Sequence, residues 1–354
     1  MKFGILTFHN AINYGAVLQA YATQCVLERY GYNVQIINYE NANIKATYQK
    51  KVKISSNIKK TLVSIIVFLF NLIRKKKFEF FIKEYLHLSE KVYTESDHDI
   101  STYDVLLVGS DQVWNPKQTG GYDKFYWGNF CHKGRLIAWS ASAKENAFTE
   151  NDEEYLRKYL KNFDVITVRE TGIRDFLQNY VDMPIKVTLD PTLLLSKNDW
   201  LKLCHPVREK NYVLVYAMLD GQFVEQMGKT LAKKTNRELV ILNPIINAKI
   251  AKGYKQYASP QDFVSYIVHA DYIVTSSFHG TAFSLLFEKQ FFSFIRKGQT
   301  NQRIESLLKI THLDNRIVSE LDDFQTVHDI DYASVGSFLE VEKSQTLSYL
   351  RSIL

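Results

Sequence analysis

A chain of 354 residues with 46% hydrophobic content carries enough apolar side chains for two ordinary globular domains, which excludes a disordered polypeptide. Its three cysteines, Cys25, Cys131 and Cys204, stand far apart with no CxxC pairing and no neighbouring histidine cluster. That excludes a disulfide framework and a zinc site and fits a reducing cytoplasm. The formal charge of +6 is local, because residues 45–83 hold eleven Lys or Arg against Glu79 alone; their +10 leaves −4 for the remainder, so the basicity signals no general affinity for nucleic acid.

The opening MKFGILTFHN has an apolar run too short for a signal-peptide core and reads as a first strand, Lys2–Thr7. Strand-like runs recur at Val34–Asn38, Val105–Val108, Leu136–Trp139, Val165–Val168 and Lys186–Thr188, with helical stretches between them. Such alternation argues for a parallel sheet wrapped by helices. After Pro206 a second series follows, Tyr212–Tyr216, Leu239–Leu242, Tyr272–Thr275 and Phe291–Phe294, interleaved with helix candidates Phe223–Lys234 and Pro260–Ala270. The expected fold is therefore α/β, two Rossmann-like domains with parallel sheets over 1–205 and 206–354 and a cleft between them. The prolines and polar residues of LDPTLLLSKNDWLKLCHPVREKN set the boundary. Apolar spacing at Val335, Phe338, Leu339, Leu347 and Leu350 predicts a last helix that packs back on the N-terminal domain.

The basic segment 45–83 is read as an insertion in the first domain. Its apolar run Thr61–Ile73 is thirteen residues long, short of the roughly 20 that cross a bilayer. Two readings stand: an interfacial helix on an anionic membrane, with Lys59, Lys60 and Arg74 to Lys77 near the headgroups, or a buried helix with solvated ends.

Strand-to-helix turns are the candidate working surfaces, since ligands of open α/β sheets gather outside the carboxyl ends of strands, where helices offer free N–H groups. In TSSFHGTAF the strand Tyr272–Thr275 gives way to a turn, Ser276 to Gly280, before a helix from Thr281 to Phe287. His279 in that turn either serves a docked anion or merely caps the helix or packs against Phe278. After the first strand, Asn13, Tyr14 and Gly15 precede a helix that Gly31 ends, Asn13 serving a ligand or the helix cap. The run Val105–Val108 opens into Gly109, Ser110, Asp111 and Gln112 in the same way. Arg169 directly follows Val165–Val168, its planar fork suited to phosphate or carboxylate, with a salt bridge to Glu170 or a neighbour as the alternative. Asn301 and Arg303 stand just before a further helix with the same two options. No GxGxxG, Walker loop, HExxH or paired CxxC occurs, so dinucleotide, P-loop and zinc chemistries find no support.

Taken in order, NYGAVLQAYAT, YDVLLVGSDQVWNP, VITVRE, LDPTLLL, SSFHGTAFSLLF and NQRIESLL resemble the polysaccharide pyruvyltransferase family, from residue 13 to about 308. GSDQVWNP and SFHGTAFS are the specific pieces. The resemblance implies a GT-B-like two-domain fold and transfer of a pyruvyl group from phosphoenolpyruvate to a sugar as a ketal, with no cofactor or metal. It further implies bacterial surface-polysaccharide synthesis on a lipid-linked sugar at the inner face of the cytoplasmic membrane, which would give segment 45–83 a membrane contact to make. By the same resemblance His279 is the general acid and Arg169 holds the donor's phosphate and carboxylate. Ser276, Ser277, Gly280, Thr281, Asn301 and Arg303 then line the donor pocket, and Asn13 to Gly15 and Gly109 to Gln112 face the acceptor. The chain departs from the pattern at Ser277-Phe278-His279, where some members carry Arg-Leu-His. The donor-binding arginine absent there leaves Arg303 or the N–H groups around Gly280 to replace it. A nucleotide-sugar glycosyltransferase and a non-catalytic membrane-associated scaffold are the rival readings.

Overall fold

The computed structural model describes residues 1–49, 51–144, 147–321 and 329–354. The chain divides into two compact units, the first formed by Met1–Gln49, Ile82–Leu195 and Glu340–Leu354 and the second by Lys50–Phe81 and Ser196–Leu339.

In the first unit, strands β1 (Lys2–Leu6), β2 (Asn33–Tyr39), β3 (Leu88–Tyr93), β4 (Val105–Val108), β5 (Arg135–Ala141), β6 (Val165–Val168) and β7 (Lys186–Val187) form one sheet in the order β3-β2-β1-β4-β5-β6-β7. All of its pairings are parallel. The central runs are apolar throughout, as in VLLV of β4, because helices cover both faces of a parallel sheet and every side chain is buried. Helices α1 (Tyr14–Arg29), α2 (Ala42–Tyr48), α3 (Ile58–Tyr85), α4 (Pro116–Thr119), α5 (Glu153–Leu160) and α6 (Thr171–Leu177) fall between these strands in sequence, although most of α3 belongs to the second unit.

The second unit begins with α7 (Lys197–Leu201) and holds β8 (Tyr212–Tyr216), α8 (Gly221–Thr235), β9 (Glu238–Leu242), β10 (Tyr254–Lys255), α9 (Pro260–His269), β11 (Tyr272–Thr275), α10 (Phe278–Leu286), β12 (Gln290–Phe294), α11 (Gln302–Ile310) and β13 (Ile317–Val318). Its sheet runs β10-β9-β8-β11-β12-β13, again parallel. The last helix, α12 (Tyr332–Ile353), gives its first residues to this unit and the rest to the first. In the first unit its Thr346 hydroxyl accepts from the Leu189 amide at 3.3 Å, and the Ile353 carbonyl accepts from Arg135 at 2.5 Å.

Both sheets reverse their winding once, between β1 and β4 and between β8 and β11. Such a switch point opens a crevice at the carboxyl ends of the two strands it separates. Three features differ from the sequence reading. The division falls at Leu195/Ser196, ten residues before the expected 205/206, because α7 packs into the second unit by stacking Trp200 edge-on against Phe283, ring centres 4.9 Å apart. Residues 50–81 join the second unit instead of extending the first, since Arg74 donates to the Asn243 and Pro244 carbonyls and Lys77 pairs with Asp262 at 3.0 Å. Finally, α10 starts at Phe278, so His279 and Gly280 lie in its first turn and not in the loop before it.

Candidate functional site

In the second unit, the switch-point loops after β8 and β11 are tied together. The Ser276 hydroxyl donates to the Leu219 carbonyl at 2.7 Å and accepts from the Leu219 amide at 3.1 Å. Ser277 is the N-cap of α10, its oxygen accepting from the Gly280 amide at 3.4 Å, which satisfies a donor the helix start leaves over. Gly280 is there for space: a Cβ would meet Thr275 Oγ1 at 2.2 Å, and that hydroxyl already donates to the Tyr216 carbonyl and accepts from the Ser277 amide. Thr281 closes the turn by donating to the Ser277 carbonyl at 3.2 Å and bonding Ser293 at 2.8 Å. Of the expected donor-pocket residues, Ser276, Ser277 and Thr281 thus spend their hydroxyls on holding the turn, and His279 is the titratable group mounted on it. Its ring stands edge-on to Phe278 with centres 5.2 Å apart, and the residue is buried.

Positive charge reaches this edge by a route that the sequence reading missed. Arg296, two residues beyond β12, pairs with Asp220, the residue next to Leu219 in the loop that Ser276 holds. Contacts therefore run from the Ser276 turn, which precedes His279 in the chain, through the Leu219–Asp220 loop to Arg296. Asn301 and Arg303 are partly buried at the start of α11, Asn301 at the N-cap position with its amide donating to Glu305 at 3.3 Å.

In the first unit, the two turns singled out in the sequence are neighbours at the β1/β4 switch. Asn13 is the N-cap of α1, accepting from Ala16 at 3.4 Å, and Tyr14 and Gly15 form the helix's buried first turn. The Thr7 hydroxyl at the end of β1 donates to the Ser110 carbonyl at 3.1 Å and accepts from Gln19 of α1 at 2.8 Å. Gly109 adopts φ +122, and a Cβ there would strike the Trp139 carbonyl oxygen at 2.3 Å, so no other residue fits. Gln112 is committed to its own loop, accepting from Asn115 at 2.6 Å.

Arg169 lies beneath these turns, its side chain almost wholly enclosed, among three carboxylates. It pairs with Asp190, with Asp111 at 3.5 Å and with Glu170 at 3.7 Å. Burial alone would lower its pKa, but the pull of Asp190, Glu170 and Asp111 outweighs that and raises it. Asp190 also accepts from the Ser110 hydroxyl at 3.3 Å and from the Thr192 hydroxyl at 2.6 Å, and Glu170 accepts from Ser142 at 2.6 Å. Arg169 thereby links the loops following β4, β5 and β6 with the segment after β7.

The polysaccharide pyruvyl transferase family model matches residues 13–298, a span that runs from the N-cap of α1 past the end of β12. The chain belongs to the polysaccharide pyruvyl transferase family. No curated protein matches it. Among solved structures, the UDP-GlcNAc 2-epimerase of Methanocaldococcus jannaschii is 10% identical with a TM-score of 0.47, covering 96% of this chain and 92% of that one. The UDP-GlcNAc 2-epimerase of Neisseria meningitidis is 12% identical, TM-score 0.46, over 99% and 100%. The glycosyltransferase SnogD of Streptomyces nogalater is 9% identical, TM-score 0.45, over 100% and 99%.

Two further polar groups of this pyruvyl transferase family member escaped the sequence reading. Asp123 accepts from the Asn41 amide at 2.6 Å and from the Tyr39 hydroxyl at the end of β2, and burial pushes its pKa up against those bonds. His9, just past β1, is enclosed with its ring nitrogens 3.2 Å from the Thr7 carbonyl and from the Asn38 side-chain oxygen. Burial lowers its pKa, the hydrogen bonds to Thr7 and Asn38 opposing only in part. A histidine with a lowered folded-state pKa binds fewer protons folded than unfolded, so stability drops as pH falls through the unfolded value of about 6.5. Thermal unfolding between pH 7.5 and 5.5 is therefore expected to show a falling Tm, with a shallower slope in His9→Gln; equal slopes would remove His9 from the account.

Proposed function

We propose that the protein transfers the pyruvyl group of phosphoenolpyruvate to two hydroxyls of a sugar, as a cyclic ketal, during synthesis of a bacterial surface polysaccharide. The acceptor is a lipid-linked sugar, met at the cytoplasmic face of the membrane. Family membership over residues 13–298 supports the reaction class, and the observation that carries the site is His279 in the first turn of α10 at a switch point.

Ketal formation needs a proton on the donor's methylene carbon while a sugar hydroxyl attacks the central carbon. The bond from that carbon to the phosphate oxygen then breaks, and the second hydroxyl closes the ring. Of the two hydroxyl protons released, one balances the new methyl group and the other the departing phosphate. Imidazole both gives and takes a proton near neutral pH, so we assign His279 to protonate the methylene and to recover a proton from the attacking hydroxyl. No electron leaves the balance, and we assign no cofactor.

The donor is a small multiple anion, suited to the free N–H groups and dipole of a helix start. We place it at α10 around Ser276, Ser277, Gly280 and Thr281, with Arg296, Arg303 and Asn301 in support; Arg296 takes the part of the arginine absent at Ser277. For Arg169 we propose a holding role, because three carboxylates occupy its fork. The acceptor is assigned to Asn13, Tyr14, Gly15 and Gly109 to Gln112. Phosphoenolpyruvate and nucleotide sugars, each offered with acceptor, separate the possibilities by product mass. A ketal with equimolar phosphate is expected; a glycoside alone, or no product from either donor, sinks the reading.

A further inference from the structure

Surface helices ordinarily turn their apolar stripe inward and a polar face to water. In α3 the arrangement is partly inverted. Its inward face, Arg74, Phe78 and Phe81, is buried, and Phe70 packs on Tyr257 with ring centres 5.5 Å apart. On the opposite side Ile58, Leu62, Ile65, Leu69 and Leu72 are exposed, at 76%, 54%, 37%, 50% and 40%. At about 100° per residue these positions fall on one outward stripe. Ile54, 88% exposed, lies in the segment that folds back beside the helix, where Ser64 accepts from the Lys53 amide at 2.7 Å and Thr61 from the Ser55 amide at 3.0 Å. A contiguous apolar patch of this kind marks a docking surface.

The charges around the stripe identify the occupant. Between residues 51 and 77 the basic residues are Lys51, Lys53, Lys59, Lys60 and Arg74 to Lys77, with no acid among them. Arg74 and Lys77 face the second unit, donating to the Asn243 and Pro244 carbonyls and pairing with Asp262. Lysines 51, 53, 59, 60 and 76 are exposed along the same segment, and Lys75 pairs with exposed Glu79 at 3.5 Å. A second copy laid against the same stripe would bring like charges together, whereas an anionic lipid surface complements them. Among the described residues no helix is long and apolar enough to cross a membrane, so the geometry of α3 is that of a helix lying in the interface.

We propose that the outward face of α3 docks the protein on an anionic bilayer surface, Ile58 to Leu72 entering the acyl boundary and the lysines meeting the headgroups. This inference does not rest on pyruvyl transfer: vesicle binding is read without donor or acceptor, so either proposal can fail alone.

The test is sedimentation of the full chain with phosphatidylglycerol/phosphatidylcholine vesicles and with phosphatidylcholine alone. Binding is expected to the first, weakening as salt rises. Leu62→Ser/Leu69→Ser should cut it by about tenfold or more, and Lys59→Gln/Lys60→Gln by roughly fivefold per charge. Both pairs are solvent-facing, and circular dichroism checks that each variant folds as the parent does. Failure of the parent to bind anionic vesicles overturns the proposal, as does binding that the folded variants leave unchanged. A dimer seen by light scattering that Leu62→Ser/Leu69→Ser dissociates also overturns it, assigning the stripe to a second copy.

Discussion

Exchanging His279 for glutamine is expected to slow phosphate release from phosphoenolpyruvate, measured with acceptor present, by about 10²- to 10⁴-fold, the usual share of a general acid. The structure explains why the loss should be chemical. The cap between Ser277 and Gly280, the Gly280–Thr275 contact and the Ser276–Leu219 bonds all hold the turn without the imidazole. The variant should therefore lose no more stability than an ordinary point mutant, about 1 kcal/mol. A folded variant within about tenfold of the parent would strip His279 of its role.

How legible this was differs by element. Strands β4, β6, β8 and β11 were expected with the bounds observed, because short apolar runs buried on both faces carry their own signature. Strand β3, LSEKVY, was missed: it is an edge strand with exposed charges, and β10 and β13 have two residues each. The apolar run Thr61–Ile73 was visible, but not its extension to a helix of 28 residues. Lys and Arg are good helix formers, and an Arg-Lys-Lys-Lys tract that looks like a solvated end continues the helix, turning Arg74 inward.

The candidate site was legible where it was local. A glycine after a strand suggested a turn, yet Gly280 is helical, because close packing on Thr275 demands its missing Cβ more than a turn demands its freedom. What could not be read were partners far apart in sequence. Asp220 and Arg296 meet across 76 residues, and Ser276 and Leu219 across 57. The sequence contained the sheet order that brings them together only as an alternation of strands and helices.

The same limit governs Arg169, for which Glu170 was the one partner that could be named. Removing its charge is expected to be the most destabilising change considered. Arg169→Met would leave Asp190 and Glu170 buried without their cation, and breaking a buried pair in this way costs about 3–5 kcal/mol. For a unit of this size that lowers Tm by roughly 10 °C. Acid should soften the loss, since protonating the stranded carboxyls removes the repulsion. A partner substitution should soften it too: in Arg169→Met/Asp190→Asn the amide oxygen can still accept from Thr192, and the combined cost should fall well below the sum of the single changes. Denaturant midpoints for the four proteins close the cycle. Arg169→Lys separates holding from donor contact, for it keeps the charge and loses the fork. If Arg169 holds the loops, the lysine variant loses stability and, while folded, binds phosphoenolpyruvate nearly as the parent does. A lysine variant as stable as the parent but with donor affinity about tenfold weaker would put the guanidinium on the donor instead, and the carboxylates around it would have to give it up on binding.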